Sequence, residues 1–449
     1  MYWEQAIQHA ARTDIGLRRQ NNEDALAVHL SGNPVEWHRR GHLLIVADGM
    51  GGHAVGELAS QIAVETVPHS FLKSKEGDAK TALIRAIVEA NSRIHEKGTQ
   101  NQDFLNMGTT CTALALTPRG AIIGHVGDSR AYRLRRDRVD QLTFDHSLEW
   151  ELERRHGNAR GSMDLSQHRN IITRSLGPER LVDVDIEGPF IVLPGDCFVL
   201  CSDGLSNQVS DEEIGAVVRE LSPEKSARLL IHLANIRGGP DNSTVIVARV
   251  GELPANVAPP PELVDEDEDT TMDWSWLAGF WLLAMLFVAG VAIFLFRNAV
   301  AGASVSALSG IGLVALSILA VRRGQQAQTQ YAEASRTNLS RPHRTAVALS
   351  SRDLYDRLTQ IEVELQTAAR TDGWNVSWSE HASAMGGART AAREKRYARA
   401  VDELGRAIDA LMTGVPRTAD EGNNNQGAGS SGKAGQTNGA ASPQSRPAS

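Results

Sequence analysis

Cysteine is nearly absent from this chain: 449 residues hold three, at Cys111, Cys197 and Cys201. So few exclude a disulfide framework and favour a reducing compartment. Basic charge is not in excess either. Lys and Arg number 46 against 54 Asp and Glu, a net charge of -8, so the surface field that nucleic acid requires is missing and no nucleic acid partner is expected. The amino terminus, MYWEQAIQHAARTD, lacks the apolar core of a signal peptide, so the first domain is expected to stay in the cytoplasm. What the chain has is length beyond one ordinary domain, with 41% apolar residues to build a core.

Shifts in composition divide it. Residues 1–251 alternate short apolar runs with glycine and aspartate turns, and 252–273 form a proline-rich, acidic linker with little to bury. No charge interrupts WSWLAGFWLLAMLFVAGVAIFLF, residues 274–296, which is long enough for a bilayer core of roughly 30 Å. Residues 299–321 are also uncharged and rich in small residues, which suits a second span packed on the first. Arg322, Arg323, Arg336, Arg341 and Arg344 make 322–349 a basic juxtamembrane segment that the positive-inside rule places in the cytoplasm. Two transmembrane helices with both ends inside is the expected topology. Beyond them, Leu354, Leu358, Ile361 and Leu365, then Tyr397, Val401, Leu404, Ile408 and Leu411, recur at helical spacing. This predicts a helical hairpin over 350–415, similar in part to a tetratricopeptide pair, before a low-complexity tail, 416–449, expected to be disordered.

The stretch LLIVADGMGGHAVGELAS, residues 43–60, poses a choice. Its GMGGHA matches a dinucleotide loop, but Asp48 at the strand end stands where a pyrophosphate would have to approach. A metal reading needs further carboxylates, and they are present. Glu23 and Asp24 precede a short strand, and Asp48, Asp128, Asp203 and Asp241 each adjoin an apolar strand beside a small turn residue. Strands ending together would gather them. Scattered carboxylates without a histidine cluster suit hard cations such as Mg²⁺ or Mn²⁺ rather than zinc. One such Asp-Gly turn would be ordinary; a set of them at strand ends is not.

RRQNNEDA, VADGMGGHAVGELAS, GTTCTALAL, GHVGDSRAYRL, ITRSLG, CSDGL and GGPDNSTVIV, in this order over roughly residues 6–250, resemble the bacterial metal-dependent protein phosphatases of the 2C type. The resemblance implies an α+β fold, a sandwich of two antiparallel β-sheets flanked by α-helices, here followed by the membrane hairpin and helical tail. It implies two Mn²⁺ or Mg²⁺ ions, with Asp48 bridging them, the Gly49 carbonyl on one, and Asp203 and Asp241 on the other. Glu23 and Asp24 would support the surrounding waters, and Asp128 with Asp203 would offer a weaker third ion. Arg19 takes the position that grips the substrate phosphate, with Arg18 as the alternative. Asp48, Asp203 and Arg19 are thus the expected catalytic set. The residues agree in kind, with a hairpin about Pro118–Gly120 and helices over 55–67, 81–96 and twice between 211 and 236.

Animal members of the family carry a histidine where this chain has Met50, so the general acid stays open among His53, His146, His168 and a metal-bound water. A cysteine phosphatase would need an arginine six residues after its thiol; Thr117, Asp203 and Asn207 stand there instead. Residues 143–177 correspond to the variable flap of the bacterial members. The implied function is a membrane-anchored serine/threonine phosphatase acting on phosphoserine and phosphothreonine proteins. It would sit at the cytoplasmic membrane with the catalytic domain and tail facing the cytoplasm, opposing cytoplasmic serine/threonine kinases. A scaffold that only binds phosphoproteins and a phosphatase for small esters are the competing classes.

Overall fold

The structure is a computed structural model that describes residues 7–51, 54–156, 171–251, 274–296, 299–301, 303–310 and 342–416. The expected linker, most of the second hydrophobic segment and the tail beyond 416 lie outside them.

The apolar runs become strands buried on both faces. In β3 (His42–Met50), Leu43, Ile45 and Ala47 face one layer while Leu44 and Val46 face another, as the two-residue period of a strand requires. With β2 (Asp24–His29), β4 (Gly108–Thr109), β5 (Cys111–Thr117), β6 (Gly120–Val126) and β9 (Asp185–Phe190), β3 forms one sheet in the order β2-β3-β5-β6-β9, β4 pairing with β3. The second sheet is built from β1 (Ile7–Asp14), β7 (Arg130–Arg135), β8 (Arg138–Gln141), β10 (Cys197–Cys201), β11 (Ser243–Val250) and β12 (Arg344–Val347), in the order β1-β11-β10-β7-β8-β12. Leu44, Val46, Leu114 and Ile123 meet Phe198, Leu200 and Ile246 between the sheets. This is the expected α+β sandwich of two antiparallel sheets.

Helices cover both outer faces. After α1 (Pro34–Arg39), α2 (Ala54–Lys73) and α3 (Ala79–Gln100) lay Ala63, Val67, Phe71, Leu83 and Ile87 on the first sheet. The short α4 (Leu148–His156) opens the flap, and α5 (Asp203–Ser206) follows β10 directly. Helices α6 (Asp211–Glu220), held by a Ser210/Glu213 capping box, and α7 (Pro223–Ile236), opened by Pro223, cover the second sheet. The helices foreseen in the sequence are therefore present, α2 and α3 longer at both ends and α6 and α7 within the expected bounds. Cys197 and Cys201 share one strand face in this core, where burial pushes their thiols up to about 11 and about 12.

The tail differs from the expected two-helix hairpin. It has three helices, α9 (Ser351–Thr371), α10 (Trp378–Arg393) and α11 (Tyr397–Met412), with Ser350 capping the first through the Asp353 amide. Leu354, Leu358, Val401, Leu404 and Ile408 join the same apolar cluster as Ile214, Val217, Leu229 and Leu233 of α6 and α7. Lys225–Asp402 at 2.6 Å and Arg228–Asp409 at 2.8 Å rim this contact. Within the basic segment, β12 pairs antiparallel with β8. An amphipathic stripe this apolar could not face water alone, and the outer side of α6 and α7 is the surface that covers it.

Helix α8 (Trp274–Phe296) runs for 23 residues. Its side chains are described at 281–289 and 291–296, and Trp281, Leu282, Met285 and Phe296 are exposed. Counted over the described positions, no helix is long and apolar enough to cross a membrane. A further helical run covers 299–301 and 303–310, and its Gly310 approaches the Phe287 ring of α8.

Removing the tail uncovers the apolar side of α6 and α7. A chain ended at Pro254 is expected to melt at least ~5 °C below the full chain and to bind an apolar dye, read by thermal scanning. An unchanged midpoint would mean that the tail contributes nothing to the body.

Candidate active site

One edge of the sandwich collects the carboxylates. Antiparallel β2 and β3 put Asp24 directly opposite Asp48. The Asp48 amide donates to Thr110 Oγ1 at 2.9 Å and its carbonyl accepts from the Thr110 amide at 2.8 Å, which fixes the strand end. From the other sheet, β10 delivers Ser202 and Asp203, and the loop before β11 delivers Asp241 and Asn242.

Neutral side chains bind the two sheets together here. Ser202 Oγ donates to Asp24 Oδ2 at 2.8 Å and accepts from the Thr244 amide at 2.9 Å. Asn242 accepts from the Glu23 amide at 2.8 Å through Oδ1, and its Nδ2 donates to the carbonyls of Ile15 and Asn21 at 2.9 and 3.0 Å. At Gly49 a Cβ would lie 2.2 Å from the Gly56 carbonyl oxygen and 2.5 Å from that of Glu23, so only glycine fits between them. Gly56 is equally constrained, since its Cβ would meet Glu23 Oε2 at 2.2 Å.

The carboxylates raise one another's proton affinity. Burial, then the charges of Asp203 and Asp241, push Asp24 up to about 7, against hydrogen bonds from Thr244 and Ser202. Asp203 rises to about 6 through burial and Asp241. Asp48 stands well above the usual range, first through burial and then through Asp24, Asp203, Asp128 and Asp241; Asp128 does so through burial, Asp203 and Asp145. Asp24 Oδ1, Asp128 Oδ1 and Asp203 Oδ1 are buried without a hydrogen-bond partner. Buried carboxylate oxygens left unpartnered in a mutually repelling group are a donor set for a hard divalent cation. Among the described residues, no three His, Cys, Asp or Glu side chains enclose an ion by themselves. A cation held here would complete its shell with backbone oxygen and water, as Mg²⁺ and Mn²⁺ do.

Arg19 reaches the same edge. Its Nη2 lies 2.7 Å from Asp241 Oδ2 with the side chain 47% exposed, so the guanidinium can still meet a ligand from solvent. Arg18 is exposed and lies toward the Gly238 turn instead. Beside Asp128 and Asp203 opens a cavity of about 210 Å³, lined also by Arg130, Asp145, Trp150 and Asn207. Arg130 donates to Asp145 at 2.8 Å, and Asn207 donates to Asp203 Oδ2 at 3.2 Å.

The expected residues Arg19, Asp24, Asp48, Asp128, Asp203 and Asp241 therefore converge. Glu23 contributes backbone to the edge while its carboxylate approaches Gly56 of α2. His146 is buried and turned away, with Nδ1 accepting from the Gly127 amide at 3.0 Å and Nε2 3.0 Å from Asp185. That leaves no position from which it could protonate a leaving group at the carboxylates. His53 and His168 lie outside the described residues. Sequence reasoning missed Thr110, Ser202, Thr244 and Asn242. Only Asn242 carried a signal, as the residue between Asp241 and β11.

A family model described as protein phosphatase 2C matches residues 18–232, and one described as a domain of unknown function matches 274–448. A protein phosphatase 2C-type protein of Streptococcus pyogenes is 37% identical over 238 residues, 52% of this chain and 94% of that protein. The serine/threonine protein phosphatase PstP of Mycobacterium tuberculosis is 36% identical over 248 residues, 54% of this chain but 45% of PstP. A solved catalytic domain of PstP in complex with two manganese ions is 36% identical, covering 55% of this chain and 99% of that one, with a TM-score of 0.47.

The raised carboxyls set a pH dependence for the metal-free chain. Unfolded, each releases its proton near pH 4, whereas in the fold Asp203 holds it to about 6 and Asp24 to about 7. Between those limits the folded chain binds more protons, so its stability falls as pH rises from about 4 to about 7. In chelator, Asp24→Asn is expected to narrow the loss of melting temperature between pH 5 and pH 7.5, and Mn²⁺ to raise the wild-type midpoint at pH 7.5. Parallel wild-type and variant curves across that range would contradict the assignment.

Proposed function

The chain belongs to the protein phosphatase 2C family and is a protein-serine/threonine phosphatase; from that premise we propose that it hydrolyses phosphoserine and phosphothreonine in cytoplasmic proteins with Mn²⁺ or Mg²⁺, tethered to the cytoplasmic membrane and opposing serine/threonine kinases. The observation that carries the chemistry is the group of carboxylates at the sandwich edge, three of them with a buried, unpartnered oxygen.

In this reading Asp48 would bridge two ions, the Gly49 carbonyl would hold one, and Asp203 and Asp241 the other. Glu23 and Asp24 would order the surrounding waters, and Asp128 with Asp203 would take a third, weaker ion. Bound there, the ions would acidify a water and screen the charge of the phosphate. The chain's own contribution is placement. Thr110 fixes the Asp48 backbone, Ser202 orients Asp24, and Asn242 ties the Asp241 loop to Glu23. Arg19 is held at the rim by Asp241, and its planar fork can donate to two phosphate oxygens.

Support for the tether comes from the sequence of residues 274–296, 23 residues without a charge that as one helix would extend about 34 Å at ~1.5 Å each, against a bilayer core of ~30 Å. The docked tail supports an even number of crossings. The first body ends at residue 251, yet β12 and α9–α11 are built onto its sheet and helices, so the chain has to return to the side it left. Segments 274–296 and 299–321 would supply the two crossings, and Arg322 and Arg323 suit the cytoplasmic side.

With the full chain in detergent, a phosphothreonine peptide is expected to turn over with Mn²⁺ and to stop in excess chelator. Asp203→Asn should cut kcat by at least ~10²-fold without lowering the melting temperature. Turnover that persists in chelator would refute the metal reading. Protease added to sealed vesicles should reach the tail only where it also reaches the catalytic body; access to one without the other would refute the paired crossing.

A further inference from the structure

We infer that β12, the strand that follows the hydrophobic segments, is a strap that sets one wall of the catalytic cavity, and that Arg344 is its positioning residue, acting through Trp150. The inference rests on the phosphatase reading only in treating that cavity as the place where substrate enters.

Two routes connect the strap to the cavity. The first is backbone pairing. Arg344 sits opposite Gln141, and the His343 amide donates to the Gln141 carbonyl at 2.8 Å. Gln141 Nε2 in turn donates to Asp145 Oδ1 at 2.9 Å, and Asp145 Oδ2 receives Arg130 at 2.8 Å. Asp145 and Arg130 both line the cavity. The second route is the indole of Trp150, which lines the cavity while only 6% exposed. The Arg344 guanidinium lies 4.0 Å from the ring centroid, the Arg130 guanidinium 5.7 Å, and Phe144 meets the ring edge-on at 5.1 Å. His343 anchors the approach, 5.7 Å from the Phe144 ring and 3.0 Å from Glu187 Oε1.

Trp150 sits in the first turns of α4, whose start is held by Leu148 donating to the Ile171 carbonyl at 2.9 Å and Glu151 donating to that of Ser147 at 3.0 Å. A helix of nine residues has little stability of its own. Its place depends on packing, and Arg344 comes from a segment about 190 residues further along the chain, beyond both hydrophobic stretches. A chain that ended with β11 would lack this contact. The cavity wall at Trp150 is therefore completed by residues that follow the hydrophobic segments, which couples the start of the flap to that distant part of the chain.

The test compares the full chain with Arg344→Ala and Arg344→Lys. A cation over an aromatic face at a partly desolvated site corresponds to a change of about three- to tenfold. In Arg344→Ala, KM for a phosphothreonine peptide should rise by about that factor, while kcat for a small aryl phosphate, which does not reach the flap, stays as in wild type. Lysine, which keeps the cation, should restore most of the difference. In a Trp150→Ala background, Arg344→Ala should add nothing further. Hydrogen exchange supplies a readout that does not depend on turnover: the Leu148 and Glu151 amides should lose protection in Arg344→Ala and regain it in Arg344→Lys. Wild-type exchange at those amides in Arg344→Ala would overturn the strap. A wild-type chain that leaves the phosphopeptide intact would count against the phosphatase reading, and the exchange result would still decide the strap.

Discussion

Repulsion among Asp24, Asp48, Asp128, Asp203 and Asp241 is the constraint around which this molecule is built. At an effective dielectric of about 20, two like charges ~4 Å apart repel by ~4 kcal/mol, while burying one large aliphatic side chain returns ~1.5–3 kcal/mol. Several buried side chains are needed to hold each close pair. This accounts for the choice of support. Asp48 follows directly on Leu43 to Ala47 of β3, which are fully buried on alternating faces, and Asp203 follows Cys197–Cys201, buried in the same way. A strand with one solvated face would offer half of that stabilisation. Protonation relieves the strain in the absence of a cation, as the raised Asp24 and Asp203 carboxyls indicate; a bound cation removes it without the proton.

The second requirement is that the two sheets not part at the charged edge. Ser202 and Asn242 meet it with neutral groups, which add hydrogen bonds across the gap without adding charge. A lysine in either place would neutralise a carboxylate and compete with a cation. The arginines near the site are kept otherwise engaged, Arg130 by Asp145 and Tyr132 and Arg19 by Asp241 at the solvent-facing rim. Positive charge is thus available where a phosphate would arrive, and among the clustered carboxylates the Arg19 pair falls on Asp241 at the rim.

How much of this was legible follows from the range of each interaction. The run LLIVAD showed both a doubly buried strand and the acid at its end, because both are local facts, and the ordered motifs then carried the fold and the candidate site. Ser202 and Thr244 look like any serine and threonine beside a strand, and their role depends on a sheet-to-sheet contact that no spacing encodes. Helix α10 was missed because WSEHASAMGGARTAAR is mostly small residues, with two adjacent glycines and no large apolar period. Strand β12 is only RTAV, too short for alternation to be read, and its partner β8 lies about 200 residues earlier. His146, an open candidate for the acid, could be set aside only once Gly127 and Asp185 were seen to occupy its two nitrogens.

The same comparison of magnitudes decides what the tail is. Its ion pairs to α7, Lys225–Asp402 and Arg228–Asp409, are partly exposed, and such pairs contribute ~0–1 kcal/mol each. Val401, Leu404, Ile408 and Leu411 of α11 are fully buried in a cluster shared with α6 and α7, and at ~1.5–3 kcal/mol per side chain they outweigh the rim charges. A contact held in this way does not open with modest changes of salt or charge. It behaves as an extension of the core, with β12 continuing the sheet and α9–α11 continuing the helical layer. On the proposed topology the hydrophobic pair is then an insertion within one folded body rather than a stalk between two. In that topology the body would be joined to the bilayer by two connections, which would restrict how the carboxylate edge turns relative to the membrane more than a single linker would.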